Sequence, residues 1–359
     1  MARLVLLDPT RTGRQAQDLE HKLRRIVVGQ EEAIQEIVRT YQTHLAGLSP
    51  AGRPIGNFLF LGPTGSGKTR VVEATAQCLL NNPRAVIKID CAEFQHGHEI
   101  AKLIGSPPGY LGHRETQALL SQEKLNEHHT EKVKLSLVLF DEVEKASDSL
   151  WNLLLGILDK GVLTLGDNRK VDFSSAMVFL TSNLGATEMC SLSNPRLGFH
   201  SPTPEDAGFN DALSNQMSRI GVAAARRKFT PEFINRLDKI VVFKPLGQEE
   251  LRRIVDIEIE MVEQRIQAAA GDKLFTIGVT DSAREFLLIE GTDTRYGARH
   301  LKRAIERQVV LPLSNLVASG QIQRGDCIRV SHHEGSACLM FFREAGGMEI
   351  SRVTNRAAA

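Results

Sequence analysis

GPTGSGKT, running from Gly62 to Thr69, decides how the rest of the chain is read. It follows the apolar run Phe58-Leu59-Phe60-Leu61 and leads into Val71-Val72-Glu73-Ala74, which reads as helix. Strand, glycine-rich loop and helix occur in that order, and Gly62, Gly67, Lys68 and Thr69 satisfy the G-x4-G-K-[ST] spacing. Glycines let the loop curl so that backbone N–H groups converge on phosphate oxygens, and the helix start adds partial positive charge. Lys68 supplies a mobile point charge for the β- and γ-phosphates, and the Thr69 hydroxyl is placed for Mg²⁺. The expected nucleotide cradle is therefore Gly62, Pro63, Thr64, Gly65, Ser66, Gly67, Lys68 and Thr69, and the expected ligands are ATP and Mg²⁺.

Outward from this loop the chain alternates apolar runs with helical stretches. Ala85-Val86-Ile87-Lys88-Ile89 reads as a second buried strand, Leu135 to Phe140 as a third and Ala176 to Leu180 as a fourth. Such alternation predicts an α/β fold, a P-loop NTPase with a parallel sheet covered by helices on both faces and ligands at the carboxyl ends of the strands. The third strand runs into Asp141-Glu142. A carboxylate at that tip is where Mg²⁺ needs its second protein ligand, so Asp141 takes that role, and Glu142 is placed to orient and deprotonate the attacking water. Thr181-Ser182-Asn183 follows the next strand, and an amide at Asn183 would reach the water or the γ-phosphate. Read alone, Arg236 and Arg299 are ordinary surface arginines.

Residues 1–25 look like a polar, weakly helical lead-in arm, and an amphipathic helix carries Ile34, Ile37, Val38, Tyr41 and Leu45 on one face. The large domain is expected over 26–245. Past Pro245 the pattern becomes mostly helical: a long helix from about Gln248 to Ala270, a strand within Lys273–Val279, and a helix capped by Asp281 ending near Gly291. Another helix is expected from about Ala298 to Val310, with strands at Cys327–Val330 and Cys338–Phe342. This predicts a small α+β, mostly helical lid domain over 246–345, with a tail at 346–359.

The 359 residues carry a net charge of +1, giving no global field toward nucleic acid or an anionic membrane, and neither partner is expected. No apolar run approaches transmembrane length, and Met1–Leu7 is too short for a signal peptide. The five cysteines lack metal-binding spacing and read as free thiols of a cytoplasmic protein. His96 and His98, the pair His128-His129 and the pair His332-His333 have no ligand-spaced partners and read as surface histidines.

The ordered set VGQ, GPTGSGKT, LIGSPPGYLG, LVLFDEVEKA, VDF…TSNLG, FTPEFINRLDKIVVF and YGARHLKRAI closely resembles the Clp family of AAA+ ATPases, above all the second ATPase module of ClpB and ClpC. It runs from about Val27 to Val330. The resemblance implies that Val28 and Gly29 line an adenine pocket, that Asn183 is sensor 1 and that Arg299 is sensor 2. It makes Arg236 an arginine finger reaching a neighbouring subunit's nucleotide, which implies a homo-oligomeric ring or spiral, six subunits by the family's habit. It also places Tyr110, with Leu111, on an axial pore loop that grips unfolded or aggregated polypeptide. The implied function is an ATP-dependent unfoldase or disaggregase chaperone. A nucleotide-gated ring or scaffold that threads nothing, and the unfoldase subunit of a Clp-type protease complex, are the alternatives.

Leu197-Gly198-Phe199 has the hydrophobic–Gly–hydrophobic character with which ClpC-like and ClpX-like unfoldases dock the ClpP peptidase. Docking of a ClpP-type peptidase and packing back onto the domain are both open for it. The chain departs from the family pattern at His113-Arg114-Glu115-Thr116 after the pore motif, at the long stretch Glu123–Lys134, at Val162 and Leu165 where Arg and Asp are common, and at Thr230 beside the finger motif. The family's N-terminal domain, first ATPase module and middle domain have no counterpart in the sequence, so a stand-alone single-ring protein is expected.

Overall fold

The computed structural model describes Asp8 and residues 11–105, 118–193, 207–269, 275–292, 298–333 and 335–344. The chain divides into two compact units, one ending at Pro245 and the other starting at Leu246.

In the first unit the strands are β1 (Gly56–Leu61), β2 (Ile87–Asp90), β3 (Ser136–Asp141), the short pair β4 (Val162–Thr164) and β5 (Lys170–Asp172), β6 (Ala176–Ser182) and β7 (Lys239–Val242). Five of them form one sheet in the order β2-β3-β6-β1-β7, with every pairing parallel. Side chains alternate across a strand, and the sequence uses both faces. On β1, Leu59 and Leu61 enter one buried cluster while Phe58 and Phe60 enter the other. On β3, Val138 and Phe140 part company with Leu137 and Leu139 in the same way. Sheets buried on both faces read as unbroken apolar runs, which is why these strands were visible in the sequence.

One face is covered by α1 (Arg14–Ile26), α2 (Glu31–Leu45) and α3 (Lys68–Leu80), through residues such as Leu19, Leu23, Ile34, Ile37, Val71 and Val72. The other is covered by the helix Asp148–Lys160, through Leu150, Leu154 and Ile157, and by Ala207–Lys228, through Met217 and Ala225. Phe58 stacks on Phe179 at 5.2 Å, and Phe60 meets Phe243 at 4.9 Å, filling the first layer with aromatic area.

Two expectations in this unit need correction. Residues 14–26 are not a lead-in arm: Ala16, Leu19 and Leu23 are buried to 3% exposure or less, which makes α1 part of the core. β2 is not a fully buried strand either. It lies at the sheet edge, so only Ile89 of its four residues is buried.

The second unit packs the helices Gln248–Ala269, Asp281–Gly291, Ala298–Ile305 and Leu311–Ala318 with β8 (Thr276–Val279), β9 (Cys327–Ser331) and β10 (Met340–Glu344). The strands form a sheet in the order β10-β9-β8. Leu251, Val255, Ile259 and Val262, on one stripe of the long helix, anchor the core with Leu287, Leu301, Val309, Ile328 and Val330. Thr280, not Asp281, caps the following helix: its hydroxyl accepts from the Ala283 N–H at 3.4 Å. Nor does helical structure stop at Val310. Glu306–Val310 forms a wider π turn leading into Leu311–Ala318, and Pro312, which lacks an N–H, stands in the first turn after it.

Candidate active site

The order β3-β6-β1 brings the carboxyl ends of three strands side by side: Asp141 ends β3, Ser182 ends β6 and Leu61 ends β1. The loop beginning at Gly62 leaves β1 there. Gly62 has φ +146°, and a Cβ on it would lie 2.6 Å from the Phe243 carbonyl oxygen, so only glycine fits without movement. Gly67, at φ 98°, turns the loop into α3 from a left-handed conformation.

Lys68 is 92% withdrawn from solvent, with 8% exposure. Its Nζ donates to the carbonyls of Gly62 at 2.7 Å and Pro63 at 2.9 Å and to Asn183 Oδ1 at 2.9 Å. Three oxygens thus engage the three donors of an ammonium group. A phosphate entering the loop would exchange with them.

Around it the acidic residues are held from several directions. The Asp141 carboxylate accepts from the Thr181 hydroxyl and lies 3.3 Å from Lys88 Nζ. The same hydroxyl accepts from the Glu142 N–H at 3.1 Å, so Thr181, 1% exposed, fixes two consecutive acidic residues. Glu142 adopts φ 56°, a left-handed conformation uncommon for a non-glycine residue and a form of stored strain typical of functional sites. Its carboxylate accepts from Lys145 Nζ at 2.5 Å and from Asn183 Nδ2 at 3.3 Å. That hydrogen bond pushes the Lys145 ammonium above the ordinary lysine range. Burial, then the nearby carboxylates of Asp90, Asp141, Glu144 and Glu142, push the Cys91 thiol up, so it stays protonated and inert here.

Asn183 is thus the hinge of the site, with its amide oxygen on Lys68 and its amide nitrogen on Glu142. Gln30 fastens the loop from behind, donating to the carbonyls of Ser66 and Lys244, each at 3.0 Å. Beside it Val28 is buried and Gly29 turns with φ 74°. Gln30, Thr181, Lys88 and Glu144 were not expected here. Gln30 stands inside the quoted VGQ and Thr181 inside TSN, but a single polar residue gives no sign of its partner across the fold. The Thr69 hydroxyl and Asp141 carboxylate are hard oxygen donors, and a set of one carboxylate, one hydroxyl and substrate phosphates suits Mg²⁺.

Arg236 lies elsewhere. Its carbonyl accepts from Asn57 Nδ2 at 3.1 Å and Arg53 Nη2 at 3.3 Å, tying it to the amino end of β1, whereas the phosphate loop leaves the carboxyl end. Its guanidinium lies 3.3 Å from Asp159, and its Nε is buried with no hydrogen-bond partner among the described residues. Arg299 is exposed in the first turn of Ala298–Ile305 in the second unit. Tyr110, Leu111 and Leu197-Gly198-Phe199 lie outside the described residues.

Two of the departures from the family pattern have local structural reasons, and His113-Arg114-Glu115-Thr116 lies outside the described residues. Leu165 is 4% exposed within the core, and the Thr230 hydroxyl accepts from the Phe233 N–H at 3.3 Å, capping the turn before Arg236. Of the histidines, His96 stacks on His98 at 5.7 Å, His129 meets the Ser136 hydroxyl at 2.9 Å and His332 stacks on Phe286 at 4.2 Å. Among the described residues no helix is long and apolar enough to cross a membrane.

Comparison with known proteins gives two family matches. "AAA domain (Cdc48 subfamily)" matches residues 53–240, and "C-terminal, D2-small domain, of ClpB protein" matches residues 246–330. The chaperone protein ClpB of Rhizobium meliloti (strain 1021) is 40% identical over 328 residues, covering 91% of this chain and 34% of the relative. ClpB of Gloeobacter violaceus is 36% identical over 312 residues, covering 87% and 33%. A solved S. cerevisiae Hsp104–casein complex in an extended conformation is 30% identical with a TM-score of 0.75, covering 92% of this chain and 53% of that one. The chain therefore spans about one third of the length of the ClpB relatives it matches.

Proposed function

This chain belongs to the AAA family, and from that premise we propose that it hydrolyses ATP and uses the energy to unfold or disaggregate polypeptides, as a ring or spiral of identical subunits. The observation that carries the reading is the joint placement of Lys68, Asp141, Glu142 and Asn183 at neighbouring strand tips around the glycine loop.

In this reading the backbone of Gly62–Thr69 cradles the phosphates, and Lys68 exchanges its contacts to Gly62, Pro63 and Asn183 for phosphate oxygens. Thr69 and Asp141 would hold Mg²⁺, which when bound neutralises phosphate charge. Glu142 orients a water and takes its proton as the water oxygen bonds to the γ-phosphorus; the bond to the β-phosphate oxygen breaks and ADP leaves with that electron pair. Asn183, in reach of both Lys68 and Glu142, positions the water and the γ-phosphate. Val28 and Gly29 flank the base, and Arg299 is proposed as the sensor 2 arginine.

Arg236 sits at the opposite end of its own β1 from the loop, an arrangement that suits service to a neighbour. A transferred guanidinium of this kind is worth about 10³–10⁵ in rate. Tyr110 and Leu111 then contact the polypeptide, and Leu197-Gly198-Phe199 offers a docking segment to a ClpP-type peptidase. A reducing cytoplasm suits the free thiols of Cys78, Cys91, Cys190, Cys327 and Cys338.

The test pairs the parent with Glu142→Gln in the presence of ATP and fluorescent casein, reading phosphate release and retained casein together. The expected result is turnover lowered about 10²–10⁴-fold in the variant, with casein held in the ATP state. Parental turnover in Glu142→Gln would end the catalytic assignment. Casein ignored by both proteins in every nucleotide state would end the unfoldase reading.

A further inference from the structure

Asn183 touches both Lys68 and Glu142, yet its amide needs a fixed backbone to do so. That backbone is held by a side chain the proposed chemistry does not use: the Asn183 N–H donates to Glu144 Oε1 at 3.0 Å. Glu144 stands on the short turn Val143–Lys145 directly after Asp141-Glu142. The turn is itself rigid, because Val143 is fully buried and its carbonyl accepts from the Trp151 indole N–H at 3.1 Å. One turn thus carries Glu142 and the clamp on Asn183.

The surroundings make a carboxylate there costly. The second oxygen, Oε2, is buried with no hydrogen-bond partner among the described residues, and an unpaired buried acceptor is costly, the more so when it is charged. A residue needed only to accept one N–H would be cheaper if neutral and shorter. Length is what Glu144 provides: it spans from the β3 turn to the tip of β6.

We infer that Glu144 is a positioning residue, setting through Asn183 the geometry of Lys68 and Glu142. The inference rests on the proposed ATPase reading. Glu144 touches no reacting atom; its effect on turnover passes through the Asn183 main chain.

Two replacements separate its hydrogen bond from its charge: Glu144→Gln keeps an acceptor oxygen at the same reach, and Glu144→Met keeps the length without an acceptor. ATP affinity, kcat and melting temperature are measured for both, for Asn183→Ala, and for Glu144→Met combined with Asn183→Ala. The expected kcat of Glu144→Met falls on the order of 10- to 100-fold, the scale of a small misplacement at the reacting centre. ATP affinity stays within about threefold of the parent, Glu144→Gln recovers most of the rate, and the double variant is no slower than Asn183→Ala. Losses that multiply in the double variant, a Gln variant as slow as Met, or a Met variant at the parental rate would each overturn the inference. If Glu144→Met does not fold, Glu144→Asp, which keeps the charge and shortens the reach, takes its place: a loss of about tenfold in kcat with Glu144→Gln near the parental rate supports the inference, and a parental rate in both overturns it. A parent without ATP turnover would instead sink the ATPase reading itself.

Discussion

The two ends of β1 are both polar, but they are built differently. At the carboxyl end, side chains answer one another: Lys68 meets Asn183, Asn183 meets Glu142, and Glu142 meets Lys145. At the amino end the fully buried Asn57 answers main chain, its Nδ2 donating to the carbonyls of Leu158 at 3.0 Å and Arg236 at 3.1 Å while its N–H donates to Asp238 at 2.8 Å. Lys68 can trade its partners on the loop, main-chain carbonyls included, for a ligand; Asn57, locked between helix and strand, cannot trade its own. The carboxyl end is thus arranged for exchange and the amino end for rigidity, which predicts that substitutions at the first cost function and at the second cost stability.

The largest effect should come from Lys68→Ala. Charge-assisted hydrogen bonds are worth about 1.5–3 kcal/mol, so ATP binding should weaken about 10- to 100-fold, with turnover falling further. Removing the Lys68 side chain opens space in which water can donate to the oxygens left on Gly62, Pro63 and Asn183, so the melting temperature should stay within a few degrees. Isothermal titration with ATP and a thermal melt check the pair of expectations. A large loss of stability with intact ATP binding would erase the contrast between the two ends.

Asn57→Ala comes next and should do the reverse. It removes the side-chain donor of the Leu158 carbonyl and leaves the Arg236 carbonyl with Arg53 alone, at about 1–3 kcal/mol for the orphaned group, reduced by whatever water enters. Urea unfolding should show a loss of about 1–3 kcal/mol. ATP affinity of the folded protein should be unchanged, because the loop lies at the other end of the strand. If ATP binding falls as much as stability, the two ends are coupled and the division fails.

Legibility in the sequence divided along the same line. GPTGSGKT, the apolar runs of β1, β3 and β6, and the acidic pair after β3 announce themselves because each is a local pattern. Asn57 sits in front of Phe58 with nothing to mark it as a hub, since its partners are about 100 and 180 residues away. Gln30, Thr181 and Glu144 went unread for the same reason: each is an ordinary polar residue until the strand order supplies its partner. The edge strand β7 stayed unread because it is four residues long, Lys239–Val242, and buried only at Val241 and Val242. α1 is different. Ala16, Leu19 and Leu23 have helical spacing, but three apolar residues among many charges gave a sparse stripe that looked like an arm.

The smallest expected effect tests how exchangeable the carboxyl end is. Lys145 lies 2.5 Å from Glu142, yet the side chains are 48% and 31% exposed, so the pair should be worth less than about 1 kcal/mol. Lys145→Met should therefore barely change the melting temperature at neutral pH, and turnover should stay within about threefold because Asn183 still holds Glu142. The pH dependence has a definite sign. The folded lysine holds its proton above its ordinary value of 10.5, so the pair's small stabilisation is complete below that value and fades as pH rises through the higher folded value. Melts from about pH 9 to about pH 11 should show the parent converging on Lys145→Met at the alkaline end. A turnover loss beyond about tenfold would place Lys145 inside the machinery and make this end of β1 less free to exchange partners than its geometry indicates.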